Sequence, residues 1–298
     1  MDEAMIAAVR RFNRTVTQRV GALDDRFLAR DRSLGEARVL WEIGAQGRDL
    51  RSLRATLELD SGYLSRLMRS LEAAGLVTVG PKESDRRVRS ARLTGAGLAE
   101  RAVLDRRSDE LAASLLAPLS QKQRTRLVAA MVDVERLLTA ATVEIAPIDP
   151  AHPNARHCLR EYFSELDRRF DSGFDPVRSI PADEDELRPP AGLFLVASLH
   201  KEPIGSGALK FHGSAPAELK RMWVAEAARG LGVGRRLLAE LERHAAANGA
   251  RKVRLETNKS LIEAISLYRS AGYLEVAPFN AEPYAHHWFE KDIASTAS

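Results

Sequence analysis

Hydrophobic residues in the first half of the chain recur with the period of an α-helix. From Ile6 to Phe27 they return every three or four positions, which predicts one long first helix with an apolar stripe. Near the end of this half, Ser120 and Gln123 fit a capping box. Apolar positions inside the helix that this box predicts are Leu127, Met131, Val134 and Leu138. The first half is therefore predicted to be mainly helical.

The second half alternates between strand and helix patterns, which is typical of an α/β domain. The predicted strands are Leu193–Leu199, Gly205–Phe211, Glu218–Val224, Lys252–Asn258 and His286–Lys291. The predicted helices are Ala155–Arg169, Gly232–Asn248 and Leu261–Ala271. Between the halves, residues 143–155 contain three prolines and lose the helical period, which indicates a boundary. The sequence thus predicts two domains, residues 1–141 (mainly α) and 142–298 (α/β).

Composition and charge narrow the classes of function. No apolar run approaches the roughly 18 residues that cross a bilayer, and the charged N-terminus is unlike a signal peptide. Residues 1–141 hold 25 lysines and arginines against 19 aspartates and glutamates. The rest of the chain holds 20 basic and 22 acidic residues, so the basic excess lies in the first half. The basic half suggests nucleic acid as a partner. The lack of a long apolar run predicts no membrane partner. A single cysteine, Cys158, predicts a reducing cytoplasm and no cysteine-rich metal site.

Three short helical patterns follow one another between residues 34 and 75. They are LGEARVLWEIG, DLRSLRATL and DSGYLSRLMRSLEAAG, the last with Asp60 or Ser61 as N-cap and Gly75 as C-cap. In a helix-turn-helix, the first residues of the second helix meet base edges, a task that suits small, polar and arginine side chains. The candidates for DNA contacts on this helix are Ser61, Tyr63, Ser65, Arg66 and Arg69.

A hairpin pattern comes next, with strands at 77–79 and 88–93 joined by a Gly-Pro turn and a charged tip. Arginines at the tip of such a wing can enter a minor groove, where narrow A·T-rich geometry concentrates negative potential. The basic residues are Lys82, Arg86, Arg87 and Arg89. The alternative is a solvated charged hairpin beside a helical bundle. The ordered succession of three helices and a wing favours DNA binding.

The segment SRLMRSLEAAGLV, with Asp85-Arg86-Arg87 and Leu93-Thr94 after it, resembles the MarR family of winged helix-turn-helix regulators. The resemblance covers about residues 1–140. It implies a transcription regulator that forms a homodimer through the first and last helices of this domain. Two-fold symmetry then predicts double-stranded DNA with a pseudo-palindromic operator as the partner.

The stretch ARGLGVGRRLLAELE, residues 228–242, places three glycines before an amphipathic helix and predicts a phosphate site. A P-loop would need Lys-Ser or Lys-Thr after the last glycine, where Arg235 and Arg236 stand. A Rossmann fingerprint would read GxGxxG directly after a strand. Here the spacing is GxGxG and five residues separate the loop from the preceding strand.

Residues 229–234 instead resemble the pyrophosphate loop Arg/Gln-x-x-Gly-x-Gly/Ala of the GNAT N-acetyltransferases, and AISLY with the following GY resembles the family's C-terminal motif. The resemblance covers roughly residues 142–293. It implies the GNAT fold with a mixed central sheet, acetyl-CoA as co-substrate and no metal. Where many relatives have asparagine this chain has Leu261, so Asn258 would make that contact from a shifted position. The implied coenzyme contacts are Met222, Trp223, Val224, Arg229, Gly230, Leu231, Gly232, Val233, Gly234, Arg235, Asn258 and Tyr268.

Amine acetylation needs a base for the amine and an acid for the departing thiolate. By the resemblance Tyr268 is the acid, and its alternative role is core packing. Glu218 is the candidate base, and its alternative role is that of a solvated carboxylate at a strand end. Glu256 and the pair His286-His287 are alternative bases.

The acceptor pocket is predicted to involve Phe170, Phe174, Asp175, Arg221 and the segment FNAEPYAHHWF. Lys220 and Arg221 could pair with an acidic acceptor such as an amino-acid carboxylate, or could be strand-face charges. The expected function is a bifunctional transcription regulator and N-acetyltransferase that acts on a small amine or amino acid by direct transfer. The alternatives are a regulator whose GNAT half senses acetyl-CoA or a metabolite without turnover, and an enzyme whose MarR-like half serves dimerisation.

Overall fold

The computed structural model describes residues 2–23, 26–82, 85–213 and 215–293, except for the side chains of Lys82, Asp85 and Arg86. The chain divides into two compact units, Met1–Met131 and Val132–Ser298. Each unit has its own hydrophobic core. Within the described residues, no helix is long and apolar enough to span a membrane.

The first unit consists of helices around a small antiparallel sheet, as the helical period predicted. Its helices are α1 (Glu3–Arg19), α2 (Leu34–Ile43), α3 (Leu50–Leu57), α4 (Ser61–Ala73) and α5 (Gly95–Leu116), and α6 (Gln121–Ala141) begins in this unit. Its strands are β1 (Arg48–Asp49), β2 (Val77–Lys82) and β3 (Asp85–Leu93), arranged in the order β1-β3-β2.

Side-chain caps determine where helices of this unit begin. Asp60 caps α4, because its carboxylate accepts a hydrogen bond from the Tyr63 amide at 2.8 Å. The capping box predicted before α6 is present: the Ser120 amide donates to the Gln123 side chain at 2.9 Å, and the Gln123 amide donates back to the Ser120 hydroxyl. The apolar face of α4 is buried, at Leu64, Leu67, Met68 and Leu71.

The prediction of one long first helix is wrong. α1 ends at Arg19, and Gly21 adopts a left-handed φ of +67° that an α-helix cannot continue. Phe27 belongs to a separate 3-10 turn, where its ring packs edge-on against Trp41 with 6.2 Å between the centroids. The stripe on α1 itself is exposed, with 48% of Phe12 accessible to solvent.

The predicted Gly-Pro turn between the hairpin strands is also wrong. Gly80 and Pro81 lie inside β2, opposite Ser90 and Arg89 of β3. β2 is an edge strand, and a proline is tolerated there because its missing N–H can face away from the partner strand. The link between β2 and β3 lies outside the described residues.

Gly97, in the first turn of α5, packs against the backbone that precedes β2. A Cβ at Gly97 would lie 2.0 Å from the Leu76 carbonyl oxygen, whereas a Cβ at Gly95 would meet no heavy atom within 4 Å. Because a backbone carbonyl cannot move aside as a side chain can, we expect Gly97→Ala to lower the free energy of unfolding by about 2–3 kcal/mol. Gly95→Ala should change it by less than about 0.5 kcal/mol. Urea unfolding followed by circular dichroism measures both, and equal losses would contradict this contact.

The second unit is an α/β structure around one mixed sheet of seven strands. The strands are β4 (Glu144–Pro147), β5 (Gly192–Leu199), β6 (Glu202–Lys210), β7 (Ala217–Val224), β8 (Lys252–Thr257), β9 (Leu274–Val276) and β10 (His287–Asp292). Their order is β4-β5-β6-β7-β8-β10-β9, and β7 with β8 is the parallel pair in an otherwise antiparallel sheet. The helices are α7 (Pro153–Arg169), α8 (Val233–Ala247) and α9 (Ile262–Ser270). Every predicted element of this half is present, with ends within three residues of the prediction.

The sequence did not predict β4 or β9. β4 lies within residues 143–155, which were expected to mark a boundary, and Ala146 pairs there with Val196 of β5. Pro147 is compatible with this strand because β4 is at the edge of the sheet. Part of the expected connector therefore belongs to the sheet.

The sheet opens at its centre, where β7 and β8 separate. They pair at Ala217 with Val253 and at Glu218 with Arg254, near the start of both strands. Farther along, Arg221 has a φ of +56°, opposite a register shift in β6. The last residues of β7 pair with β6, so the edge that faces β8 offers its backbone groups to a ligand.

Candidate active site

The glycine loop ends at the first turn of α8. Gly230 and Gly232 have φ values of +84° and +75°, a left-handed conformation that residues with a Cβ rarely adopt. Gly232 is the N-cap of α8 and supplies no side-chain cap. The first amides of a helix have no acceptor within it, and the helix dipole makes this end positive. The loop is therefore suited to bind an anion such as a pyrophosphate.

A cavity of about 450 Å³ lies along this loop, between the open edge of β7 and helices α7 and α9. The predicted coenzyme residues that line it are Met222, Trp223, Val224, Arg229, Gly230, Gly232, Val233, Gly234, Arg235 and Tyr268. Leu231 instead packs against the hydrophobic core. Asn258 lines a second, neighbouring cavity. Coenzyme binding by these residues stays a prediction.

The two arginines of the loop have different partners. Arg229 donates to the Glu165 carboxylate at 2.6 Å and to the Val224 carbonyl at 3.3 Å. Arg235 donates to the Ser270 hydroxyl at 2.9 Å, and none of the described carboxylates forms an ion pair with it. Arg235 therefore leaves positive charge at the mouth of the cavity, while Glu165 offsets that of Arg229.

Tyr268 on α9 lines both cavities. Its ring is buried and packs against Tyr273 and Phe289, with centroids 5.9 Å and 6.1 Å away. Burial raises the pKa of Tyr268, so its hydroxyl stays protonated near neutral pH. The residue thus packs in the core and also carries a proton where the cavities meet.

The second cavity, of about 90 Å³, lies beside the first and shares part of its wall. The shared residues are Tyr162, Leu166, Met222, Leu261, Ala264 and Tyr268. Of the predicted acceptor residues, Phe170, Phe174 and Arg221 line it, as do Glu282, Tyr284 and Ala285 from the C-terminal segment. Asp175 does not line it, although its amide donates to the Tyr284 hydroxyl at 3.0 Å.

Glu218, the predicted base, lines neither cavity. Its carboxylate accepts from Arg254 at 2.6 Å and lies 3.4 Å from the Lys220 ammonium. Burial favours the protonated acid, but the charges of Lys220 and Arg254 outweigh it and lower the pKa of Glu218. A carboxylate held in this way is a weak proton acceptor.

Glu256, an alternative base, does line the second cavity. Its carboxylate pairs with Lys220 and accepts from the Asn280 amide at 3.3 Å. Neither His286 nor His287 lines either of these two cavities, and the His287 ring contacts Glu275 at 2.6 Å. Its position therefore favours Glu256 as the candidate base over Glu218 and the histidine pair.

Asn258 has structural partners for both ends of its amide. Its nitrogen donates to the Tyr284 carbonyl at 2.7 Å, and its oxygen accepts from the Ser260 amide at 2.9 Å. The bond to Tyr284 holds the C-terminal segment against the end of β8, and the bond from Ser260 is local. They explain why the asparagine is buried without lining the larger cavity.

Cys158 is fully buried, and burial raises the pKa of its thiol to about 12. At pH 8 only about one thiol in 10⁴ is then ionised. We expect 5,5′-dithiobis(2-nitrobenzoate) to modify the folded protein about 100-fold more slowly than the urea-unfolded protein. Stopped-flow absorbance measures both rates, with glutathione as the control for the reagent. Equal rates in the two states would show that the thiol is accessible.

No group of three or more metal-ligating side chains occurs in the described part of the chain.

The candidate DNA contacts belong to the first unit. Ser61, Ser65, Arg66 and Arg69 are exposed on α4, and the Arg66 guanidinium lies over the Tyr63 ring at 5.5 Å. On the hairpin, Arg87 and Arg89 are exposed, while the side chains of Lys82 and Arg86 lie outside the described residues.

Several known proteins are similar to the second half of this chain. The profile of the Acetyltransferase (GNAT) family matches residues 158–273. An IAA acetyltransferase from Azospirillum brasilense is 34% identical over 125 residues, which cover 42% of this chain and 80% of that protein. An uncharacterised N-acetyltransferase from Schizosaccharomyces pombe is 33% identical over 97 residues, which cover 32% of this chain and 60% of that protein. A solved GNAT-family acetyltransferase from Staphylococcus aureus is 18% identical and aligns with 51% of this chain and 99% of its own, with a TM-score of 0.44.

Proposed function

The chain belongs to the GNAT acetyltransferase family, and from that premise we propose that it transfers the acetyl group of acetyl-CoA directly to the nitrogen of a small amine or amino acid. As a member it is an acetyltransferase, and its second unit has the GNAT fold. The observation that carries the finer proposal is that two cavities meet at Tyr268. One runs along the glycine loop, and the other holds the charged and aromatic residues suited to an acceptor.

The larger cavity fits coenzyme A in three respects. Gly230 and Gly232 leave space for a phosphate, since a Cβ at either position would meet no heavy atom of the described residues within 4 Å, apart from its neighbours in the chain. The uncapped start of α8 supplies amides for the pyrophosphate oxygens, and the open edge of β7 supplies backbone groups for the pantetheine amides. When bound, acetyl-CoA supplies the activated acetyl group.

Each of the two proton transfers in this reaction has a candidate residue. The new bond joins the amine nitrogen to the acetyl carbon, and the bond that breaks joins that carbon to sulfur. Glu256 would accept a proton from the amine, and the Tyr268 hydroxyl would donate one to the departing sulfur. That both residues line the second cavity supports these two roles.

Thiol release from acetyl-CoA tests this proposal over a panel of amino acids, polyamines, aminoglycosides, basic peptides and IAA. IAA is included because the A. brasilense relative is called an IAA acetyltransferase. We expect release with one class of small amine. Release with basic peptides alone would indicate a protein acceptor. If acetyl-CoA binds but no panel member promotes release, a sensor without turnover replaces the proposed enzyme.

We further propose that residues 1–141 form a DNA-binding and dimerisation domain that makes the protein a transcription regulator as well. In support, α3 and α4 follow one another closely, the exposed arginines of α4 are available, and β2 and β3 form an antiparallel hairpin. The apolar residues Val9 and Phe12 on α1 and Met131 on α6 are exposed, as expected for helix faces that a second copy covers.

Arg66→Ala combined with Arg69→Ala tests the DNA proposal. We expect the double variant to bind duplex DNA selected from a random library more weakly, and the slope of log K against log salt to shrink by about 2. Electrophoretic mobility shifts at several salt concentrations measure both, and thiol release by the same variant is the control. Absence of DNA binding by the unaltered protein would leave dimerisation as the role of this half.

A further inference from the structure

Some charged residues around the second cavity form ion pairs with one another, and two have no partner of opposite charge among the described residues. In the paired group, Lys220 contacts both Glu256 and Glu218, and Arg254 contacts Glu218. Two cations thus meet two carboxylates, and the charges cancel. The remaining charged residues of the lining are Arg221 and Glu282. Lys220, although next to Arg221 in sequence, is therefore not available to a substrate.

Arg221 is held in place without a carboxylate. Its guanidinium lies over the rings of Phe163 and Tyr162, 4.9 Å and 5.8 Å from their centroids. Its Nε is buried, and among the described residues this atom has no hydrogen-bond partner and the guanidinium has no carboxylate within ion-pair distance. Its backbone also has the left-handed φ of +56°. A non-glycine residue in this conformation, with an unsatisfied buried donor, is typical of a functional site.

Glu282 provides the opposite charge in the same cavity. It is buried, and its carboxylate accepts from the Ile180 amide at 2.7 Å, the Ser179 hydroxyl at 3.0 Å and the Tyr284 amide at 3.3 Å. These donors are neutral, and no described lysine or arginine pairs with it. A buried carboxylate that only neutral groups stabilise still attracts a cation.

We propose that the acceptor is an α-amino acid whose carboxylate pairs with Arg221 and whose ammonium group is attracted by Glu282. The inference rests on the proposed N-acetyltransferase function and names its substrate class. An arginine fork matches the two oxygens of a carboxylate, and the bond is stronger in a cavity shielded from water. A zwitterion brings a negative charge for Arg221 and a positive charge for Glu282, the two lining residues that have no charged partner.

The wall formed by Phe170, Phe174 and Tyr284 indicates which amino acids fit. The Phe174 and Tyr284 rings lie 4.8 Å apart, and the Phe170 and Tyr284 rings 5.7 Å apart. This wall offers apolar surface and no further charge for a side chain. The cavity of about 90 Å³ exceeds by several-fold the roughly 15 Å³ that one water requires. The preferred substrates are therefore compact amino acids with apolar side chains.

The first experiment compares each L-amino acid with its own amide, which replaces the carboxylate by a neutral group of similar shape. Thiol release measures turnover, and calorimetric titration of the CoA-loaded protein measures binding without turnover. We expect an apolar amino acid to have a kcat/KM about 100-fold above that of its amide. Equal values for the two would overturn the assignment of Arg221, although turnover of both would still support the acetyltransferase.

Arg221→Gln removes the charge, and Arg221→Lys keeps it without the fork. We expect Arg221→Gln to raise the KM for the amino acid by roughly 100-fold and to leave the KM for the amide unchanged. Arg221→Lys should restore part of the loss. Arg178→Gln is the matched control, because Arg178 also lies over an aromatic ring, that of Tyr284 at 5.9 Å, but is exposed and lines neither cavity.

The two proposals fail in different ways. Amino-acid binding that depends on Arg221, without thiol release, would retain the substrate class and overturn the enzyme. Thiol release that requires an amine but is indifferent to its carboxylate would retain the enzyme and overturn the substrate class. A loss of KM discrimination in Arg178→Gln equal to that in Arg221→Gln would also overturn the specific role of Arg221.

Discussion

Replacing Tyr268 with phenylalanine will lower kcat by about 100-fold or more, because the variant keeps the ring but loses the hydroxyl that donates a proton to the departing sulfur. The ring supports the core through Tyr273 and Phe289, so the fold and coenzyme binding should be retained. Burial raises the pKa of Tyr268, so the unaltered enzyme keeps this proton throughout the ordinary assay range.

Tyr273→Phe is the matched control for this variant. Tyr273 is also a buried tyrosine of the same core, and it lines neither cavity. Its variant should keep kcat within about twofold of the unaltered protein, since it changes no group at the reacting atoms. Steady-state thiol release at saturating acetyl-CoA measures both. An undiminished kcat in Tyr268→Phe would assign the residue to packing alone.

Replacing Gly232 with aspartate will weaken acetyl-CoA binding by about 100-fold or more. The change places a carboxylate where the loop is proposed to bind pyrophosphate, and it forces a Cβ onto a residue with a φ of +75°. Aspartate at the start of a helix complements the dipole, so a loss of helix stability would not explain the effect. Calorimetric titration with coenzyme A measures the change directly.

Gly249→Asp is the control at the other end of the same helix. Gly249 follows the C-cap of α8, has a φ of +82°, and like Gly232 would place its Cβ in open space. The two variants share the residue change and the backbone conformation, but Gly249 is absent from the lining of the larger cavity. Equal losses of coenzyme affinity would show that strain, rather than the site, is responsible.

The cavity along the glycine loop was largely predictable because its signals are local. A glycine loop, the helix after it and the strand before it are contiguous in sequence, so the amino-acid sequence alone predicts Gly230, Gly232 and Tyr268 as part of the site. Leu231 and Asn258, predicted from the same motif, do not line the larger cavity. Spacing along a chain does not reveal which side chain of a loop turns inward, nor that Tyr284, far along the sequence, binds Asn258.

The choice between Glu218 and Glu256 as candidate base could not be made from sequence, because the surroundings of both residues are non-local. Glu218 lies at the start of β7, but Arg254 on β8 neutralises it, and this pairing depends on the parallel register of two strands 36 residues apart. Glu256 lines the cavity because β7 and β8 diverge, and the irregularity at Arg221 that accompanies this opening has no sequence signature. Such a contact becomes visible only in three dimensions.

The errors in the first half have similar causes. The apolar period from Ile6 to Phe27 is continuous, yet Gly21 ends the helical path, and contact with Trp41 holds Phe27 elsewhere. Gly80 and Pro81 have the composition of a turn, but an edge strand accommodates both. In each case a tertiary contact or a place in the sheet overrides a local preference.

The most direct test of the central claim is to follow an isotopically labelled acetyl group from acetyl-CoA into the amine product by mass spectrometry, with the unaltered protein and with Tyr268→Phe. We expect the label to appear on the nitrogen of a small amine or amino acid, and the variant to form about 100-fold less product per unit time. Labelled acetyl-CoA that binds to the protein but leaves no label on any small amine would contradict it.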